Sequence, residues 1–199
     1  MAYLPQQKIL FAGDVGFFWV APHANNSYIT KWIETCDKIA GWDVDVIVPG
    51  HGPVGTKKEL AEMASYFRVL GVEARKRYDA KMTAGAAAAD IRLGRFDNWI
   101  GPERLLMDVV RWHQEWDGTL TPDYDANRVR EATIEYNAIK ARRAKKTGEI
   151  IPLGRDGVSR RRVDHHTRII VPFLEYTLAQ PPADDDAQAS RDVGVDSHR

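Results

Sequence analysis

Short apolar and alternating runs near the N-terminus predict a β-hairpin followed by a further strand. Residues 2–4 and 8–12 favour β-structure and are separated by Pro5, and the second run is apolar enough for a buried strand. This strand is predicted to end at residues 13–14, where a glycine precedes an aspartate. Another buried strand is predicted at residues 44–48, which are rich in β-branched side chains.

Apolar residues at helical spacing predict five helices. The most regular one begins at the capping box Thr56-Lys57-Lys58-Glu59 and continues for about six turns. The other predicted helices cover residues 30–40, residues 83–89, a segment opened by Pro102, and residues 128–146. Strands and helices alternate in the first part of the chain and helices follow, so the pattern predicts an α/β fold.

Composition narrows the class of protein. The chain has 199 residues, 44% of them hydrophobic, which suffices for a domain with a buried core. Its single cysteine, Cys36, excludes an internal disulfide framework and is compatible with a reducing compartment. No run reaches the roughly 20 apolar residues of a membrane helix, and the start of the sequence lacks the pattern of a signal peptide. We therefore expect a cytoplasmic protein without a membrane partner.

Charge is balanced overall and uneven locally. The 28 basic and 28 acidic residues cancel, so total charge provides no argument for a polyanionic partner. Residues 128–168, however, contain twelve basic and five acidic residues. We expect a solvated basic helix face and loop there, without a nucleic-acid partner. The alternative is phosphate binding by this segment, with Tyr136 or Tyr176 stacking on a base.

Two strand ends each present one residue that can bind a metal ion. Asp14 follows the apolar strand of residues 8–12, and His51 follows the strand of residues 44–48 in the turn Pro-Gly-His-Gly. Strand ends are common positions for binding groups because the sheet fixes the side chain while the loop exposes it. A carboxylate and an imidazole are part of an ordinary zinc or iron ligand set. Each residue alone has a simpler interpretation, a turn cap for Asp14 and a loop filler for His51.

These features together resemble the metallo-β-lactamase-fold superfamily of metallohydrolases. The Gly-Asp strand end and the Pro-Gly-His-Gly turn are similar to two of its metal-binding motifs, and residues 85–116 resemble the C-terminal helical region of its hydrolases. The resemblance implies that Asp14 bridges two metal ions and that His51 is the last metal ligand. Aspartate rather than cysteine at position 14 is similar to the branch of glyoxalase II and the lactonases, which implies ester, lactone or thioester substrates.

The resemblance covers residues 1–117 and implies the C-terminal half of an αββα sandwich. Residues 118–180 are predicted to form a basic helical extension and residues 181–199 a disordered acidic tail. In the superfamily, a His-x-His-x-Asp-His cluster upstream of the Gly-Asp strand supplies most metal ligands, whereas no histidine precedes Asp14 here. We therefore expect a truncated domain, with weak or absent binding of zinc, iron or manganese by this chain alone.

The other histidines do not rebuild this cluster. His23 is expected at most to line the pocket, and His113 to be packed or exposed on its helix. The adjacent His165 and His166 point to opposite sides if they lie on a strand, and His198 belongs to the predicted tail. The histidines outside the Pro-Gly-His-Gly turn are therefore not expected to be metal ligands.

The sequence thus predicts a metal-dependent hydrolase of a small-molecule substrate, with Asp14 and His51 as the surviving metal ligands. The sheet edge and Trp-rich helix of an incomplete domain predict pairing with a second copy or with a separate N-terminal half. The competing hypothesis is a non-catalytic binding or assembly module that uses the basic segment, residues 128–168.

Overall fold

The structure, a computed structural model, describes residues 1–147 and has a mixed α/β fold. The strands are β1 (Ala2–Leu4), β2 (Ile9–Phe17) and β3 (Val46–His51). The helices are α1 (Ile29–Ala40), α2 (Lys57–Asp79), α3 (Ala84–Asp90), α4 (Leu105–Asp117) and α5 (Ala126–Thr147). Two short 3₁₀ segments, Gly94–Asn98 and Pro102–Arg104, connect α3 to α4. The order of elements agrees with the α/β class predicted from the sequence.

The three strands form one sheet in the order β1-β2-β3. β1 pairs antiparallel with β2, which confirms the predicted hairpin, and β2 pairs parallel with β3, with Phe11 opposite Val48. Parallel neighbours require a crossover connection, and α1 provides it. The C-terminal ends of β2 and β3 therefore lie side by side at the same end of the sheet.

Both of these strands continue beyond the residues at which the sequence predicted them to end. β2 runs past Asp14, and β3 includes Pro49 and ends at His51. The register of β2 against β3 shifts at Gly13, whose φ of 55° is in the left-handed region, so that β2 continues through an irregularity. Proline is tolerated in β3 because this strand lies at an edge of the sheet.

The helices bury one face of the sheet. Leu10 and Ile47 are fully buried on this side. The long α2 lies at the centre of the helical layer; its capping box is formed as predicted, and its apolar face supplies Leu60, Met63, Phe67 and Leu70 to the core. α1 packs against α2 and contributes Cys36, and burial raises the pKa of its thiol to about 12.

The opposite face of the sheet is apolar but remains accessible. Phe11 and Leu4 are 46% and 41% exposed, and Ile9, Val46 and Val48 are only half-buried. The strand registers place these side chains next to one another, because Leu4 pairs with Ile9, Ile9 with Val46, and Phe11 with Val48. The described residues therefore form a sheet with one fully packed face and one partly open apolar face.

The predicted basic helix is present as α5 and packs against α3. Ala132 of α5 is buried in the core, and a Cβ at Gly85 of α3 would crowd the Ala132 carbonyl oxygen. Arg143 donates a hydrogen bond to the Ala89 carbonyl oxygen and forms an ion pair with Asp90. The first helix of the predicted extension is thus attached to the rest of the described chain through both apolar and polar contacts.

The remainder of the predicted extension and the predicted acidic tail lie outside the described residues. His165, His166, His198 and Tyr176 belong to that part of the sequence. Among residues 1–147, no helix combines the length and the apolar character that crossing a membrane requires.

Candidate functional site

Asp14 and His51 lie next to each other on two adjacent parallel strands, Asp14 three residues before the end of β2 and His51 at the end of β3. The distance between His51 Nε2 and Asp14 Oδ1 is 3.4 Å. The Asp14 side chain is 80% exposed and the His51 side chain 45% exposed. The structure thus brings together the two residues that the sequence singled out as candidate metal ligands, in a position that solvent reaches.

Two glycines allow this close approach. A Cβ at Gly50 would collide with the carboxylate and backbone of Asp14, and a Cβ at Gly52 would collide with the carbonyl group of Phe18. Gly52 also has a φ of 92°, a conformation that other residues rarely adopt. The Pro-Gly-His-Gly turn therefore has a structural requirement for glycine on both sides of His51.

His51 is held in place by Phe17, the last residue of β2, and by Phe18, which follows it. The imidazole stacks on the ring of Phe17, with the ring centroids 4.3 Å apart and 20° between the planes. The backbone N–H of Phe18 donates a 2.9 Å hydrogen bond to the His51 carbonyl oxygen. The ring is consequently held from one side while its Nε2 atom is directed toward Asp14.

A cleft of about 250 Å³ opens beside this pair. Most sites for drug-sized ligands measure about 300–1,000 Å³, so the cleft suits a small molecule or one part of a larger one. Its lining comes from the ends of β2 and β3, from α1, from the loop between β2 and α1, and from the segment before α4. The lining residues are Asp14, Phe17, His23, Asn25, Asn26, Ser27, Trp32, His51 and Arg104.

His23 lines the cleft, as the sequence predicted, and is paired with a neighbouring amide. Its Nδ1 atom is 3.1 Å from the Nδ2 atom of Asn25. Burial lowers the pKa of His23, and electrostatic interactions with Arg104 and His51 lower it further. At pH 7 the ring is therefore mainly neutral and contributes hydrogen bonding rather than charge to the cleft.

Polar residues on α4 hold the loop that forms this part of the cleft. The fully buried Asp108 carboxylate accepts hydrogen bonds of 2.9 Å from the backbone N–H of Ala24 and from the hydroxyl of Tyr66. Arg111, also buried, donates to the carbonyl oxygen of Ser27 through two nitrogens, at 2.9 and 3.1 Å. The conformation of the loop thus depends on a helix that is distant in sequence.

A third residue of α4, Glu115, caps the N-terminus of α1. Tyr28 occupies the N-cap position without a capping hydrogen bond. Instead, the Glu115 carboxylate accepts hydrogen bonds from the backbone N–H of Ile29 and from the Thr30 hydroxyl. None of these three α4 residues was predicted from the sequence. The available signal was the presence of charged residues at positions 108, 111 and 115, spaced by one and two helical turns on an apolar helix.

Removal of the Glu115 carboxylate is expected to destabilise the protein. Glu115→Ala should lower the free energy of unfolding by about 1–2 kcal/mol, because the first turn of α1 loses its acceptor and its favourable charge. Denaturant unfolding followed by circular dichroism measures the loss. Glu34→Ala is the control, since it removes only an exposed ion pair with Lys31 and should cost less than about 0.5 kcal/mol. Equal losses in both variants would contradict the capping role.

The spacing of Asp14 and His51 fits two ligands of one metal ion. Zinc binds carboxylate oxygen and imidazole nitrogen at about 2.0–2.2 Å, so two such donors at a tetrahedral angle lie about 3.3 Å apart. The observed separation is 3.4 Å. Among residues 1–147, no three His, Cys, Asp or Glu side chains are grouped so that they could hold a metal ion. The pair could therefore supply at most two donors to an ion, and the described residues group no third one with them.

The remaining described histidine, His113, is not among the residues that line the cleft. It is buried on α4 and packs edge-on against Tyr78, with the ring centroids 5.0 Å apart, and beside Trp116. Of the two alternatives expected for His113, packed or exposed, the structure shows the packed one. Neither a family model nor a curated protein matches this sequence.

Proposed function

We propose that the chain provides two ligands, Asp14 and His51, of a hydrolytic metal centre of the metallo-β-lactamase-fold type. The observation that carries the proposal is the 3.4 Å separation of His51 Nε2 and Asp14 Oδ1 at the ends of adjacent parallel strands. Carboxylate and imidazole donors suit zinc, iron and manganese. By resemblance, the complete centre holds two such ions and the substrate is a small molecule with an ester, lactone or thioester bond.

The residues around the pair have separate roles in this proposal. Phe17 limits rotation of the His51 ring and so presents Nε2 to an ion. Among the described residues, the Asp14 carboxylate has no partner besides His51, so its second oxygen is available for another ion or a water molecule. Trp32 donates from its indole N–H to the Val15 carbonyl oxygen at 2.9 Å and forms a fixed wall of the cleft. A bound ion would lower the pKa of its water ligand and polarise the substrate carbonyl.

The sheet supports the finer fold proposal that this α/β unit is one half of an αββα sandwich. Its helical layer covers one face, and the other face carries apolar side chains such as Phe11, which is 46% exposed. In sandwiches a second sheet packs against a face of this kind. A second copy of the chain or a separate polypeptide that provides this layer would also be the source of the missing metal ligands.

Metal titration of the purified, metal-free chain tests the proposed ligands. Isothermal titration with Zn²⁺ should detect weak binding, as expected for only two protein donors, with an affinity that falls at least about tenfold in Asp14→Ala and in His51→Ala, since each change removes half of these donors. Asp45→Ala is the matched control, because Asp45 is an exposed aspartate immediately before β3 and does not line the cleft. Its zinc affinity should equal that of the unchanged chain.

Hydrolysis assays decide the catalytic part of the proposal. Turnover of ester, lactone or thioester substrates by the zinc-loaded chain should disappear in both Asp14→Ala and His51→Ala. Equal zinc affinity in the unchanged chain and in both variants would refute the ligand assignment. Zinc binding that depends on both residues, without turnover of any of the three substrate types, would instead favour the non-catalytic binding module.

A further inference from the structure

Among the described residues that line the cleft, Arg104 is the only lysine or arginine. It ends the 3₁₀ segment that precedes α4 and is half-buried. One guanidinium nitrogen, Nη1, donates a 3.1 Å hydrogen bond to the Ala21 carbonyl oxygen. The guanidinium is always charged, so Arg104 brings a permanent positive charge to the cleft wall, whereas His23 is mainly neutral.

This charge is not neutralised by a paired carboxylate within the described part of the chain. No ion pair joins Arg104 to an acidic residue there, although its charge lowers the pKa of the buried Asp108 against the larger effect of burial. A guanidinium has five N–H donors, and the only side-chain hydrogen bond of Arg104 within residues 1–147 is the one to Ala21. Donors on the cleft side are therefore available to a ligand.

Arg104 makes fewer hydrogen bonds within the protein than Arg111, an arginine with a structural role. Arg111 is almost fully buried, and its guanidinium donates to the carbonyl oxygens of Ser27 and Thr121 and to the side chain of Gln114. Its donors are used to hold the loop. Arg104 has a single such bond and lines an open cleft instead, which is the arrangement of a binding group.

We propose that Arg104 forms an oxyanion subsite that binds a carboxylate or phosphate group of the ligand. The planar guanidinium fork matches either group with two parallel hydrogen bonds. That this ligand is the substrate rests on the proposed hydrolytic function, whereas the anion binding itself requires no metal. The substrate class is then a small ester, lactone or thioester that carries a negative group on the part of the molecule that is not cleaved.

The dimensions and the backbone around Arg104 support this assignment. The cleft of about 250 Å³ lies just below the usual range of small-molecule sites, a size that suits an anionic group with a short carbon chain. Gly101, with a φ of 70°, has an ideal Cβ position only 3.1 Å from the Arg104 Nε atom. A side chain at position 101 would therefore crowd the Arg104 guanidinium, and glycine at this position avoids the crowding.

Titration with inorganic phosphate and with succinate, in the presence of a chelator, tests the subsite in the full chain. Nuclear magnetic resonance should show saturable shifts of the Arg104 Nε–H signal and of neighbouring cleft amides for at least one anion, and the comparison of the two probes identifies phosphate or carboxylate as the preferred group. Arg104→Gln should weaken binding about tenfold or more, and Arg104→Lys should weaken it less because the charge is retained. Arg130→Gln is the matched control, an exposed arginine of α5 outside the cleft.

Each outcome bears on the subsite separately from the metal site. Absence of saturable shifts at Arg104 in the unchanged chain overturns the proposal, even if a variant does not fold. Equal affinity in the unchanged chain and a folded Arg104→Gln overturns it as well, as does an equal loss in Arg130→Gln. Zinc binding lost with Asp14→Ala while anion binding persists would support the subsite independently of the metal ligands.

Discussion

Replacement of Gly52 by alanine is expected to destabilise the protein by about 3 kcal/mol or more. The new Cβ would collide with the Phe18 carbonyl group, which belongs to backbone and cannot move aside as a flexible side chain can. The φ of 92° adds conformational strain for any residue with a side chain. Because Phe18 also donates to the His51 carbonyl oxygen, relief of the collision should displace His51 and weaken zinc binding.

Gly94→Ala is the control that separates collision from strain. Gly94 has a φ of 63°, yet no atom lies within 4 Å of its ideal Cβ position. This change should cost only about 1–2 kcal/mol, the strain of a left-handed alanine. Urea unfolding of both variants, with zinc titration of each, measures the two effects. Similar stability losses for Gly52→Ala and Gly94→Ala would show that the backbone of Phe18 can move away from a side chain at position 52.

Asp108→Asn is expected to stabilise the protein at neutral and alkaline pH. Burial raises the pKa of Asp108 from its ordinary value of 3.8 to about 7, against the opposing effects of its hydrogen bonds and of Arg104. An ionised Asp108 is therefore unfavourable in the folded state. Asparagine can accept from the Ala24 N–H and donate to the Tyr66 hydroxyl oxygen, so it keeps both contacts without the buried charge.

The direction in which stability changes with pH follows from proton linkage. Between pH 4 and pH 7 the folded protein keeps a proton on Asp108 that the unfolded chain releases, so stability falls as pH rises through this range. The difference between the pKa of Asp108 in the unfolded and in the folded protein corresponds to about 4 kcal/mol. This value is the upper limit of the stability that Asp108 loses as the pH rises. His23 and His113 act in the opposite direction below about pH 6.5, because burial lowers their pKa values.

The comparison of Asp108→Asn with the unchanged chain removes the contribution of the histidines. Urea unfolding from pH 4 to pH 8 should give similar stabilities near pH 4 and an advantage for Asp108→Asn that grows to a few kcal/mol at pH 8. The amide keeps the Ala24 contact, so the loop of the cleft should be unchanged. Parallel pH profiles for the two proteins would contradict a raised pKa for Asp108.

The local elements could be predicted from the sequence because their signals are local. The capping box at Thr56 and the helical periodicity after it define the start and the buried face of α2. That Asp14 and His51 belong to one site was implied by the resemblance to the metallo-β-lactamase-fold superfamily, on two short motifs that each follow an apolar run. The parallel pairing of their strands was not predicted; it brings them together because neighbouring parallel strands end at the same side of a sheet.

The parts that escaped prediction depend on contacts between distant segments. Nothing in the local sequence around Ala24 shows that Asp108 accepts its N–H, and the weak N-terminus of α1 gives no indication that Glu115 caps it. The extension of β3 through Pro49 was missed because proline normally ends a strand, whereas at a sheet edge the lost donor is tolerated. Tertiary contacts decide each of these cases.

The burial of Cys36 has a practical consequence for spectroscopic work. With a pKa of about 12, its thiol carries on the order of one thiolate in 100,000 molecules at pH 7, so reagents that attack thiolates should leave it unmodified in the folded protein. It is also the only cysteine in the sequence. A cysteine introduced at exposed Val54, three residues from His51, could therefore carry a fluorescent or spin label selectively, with the native thiol left in place.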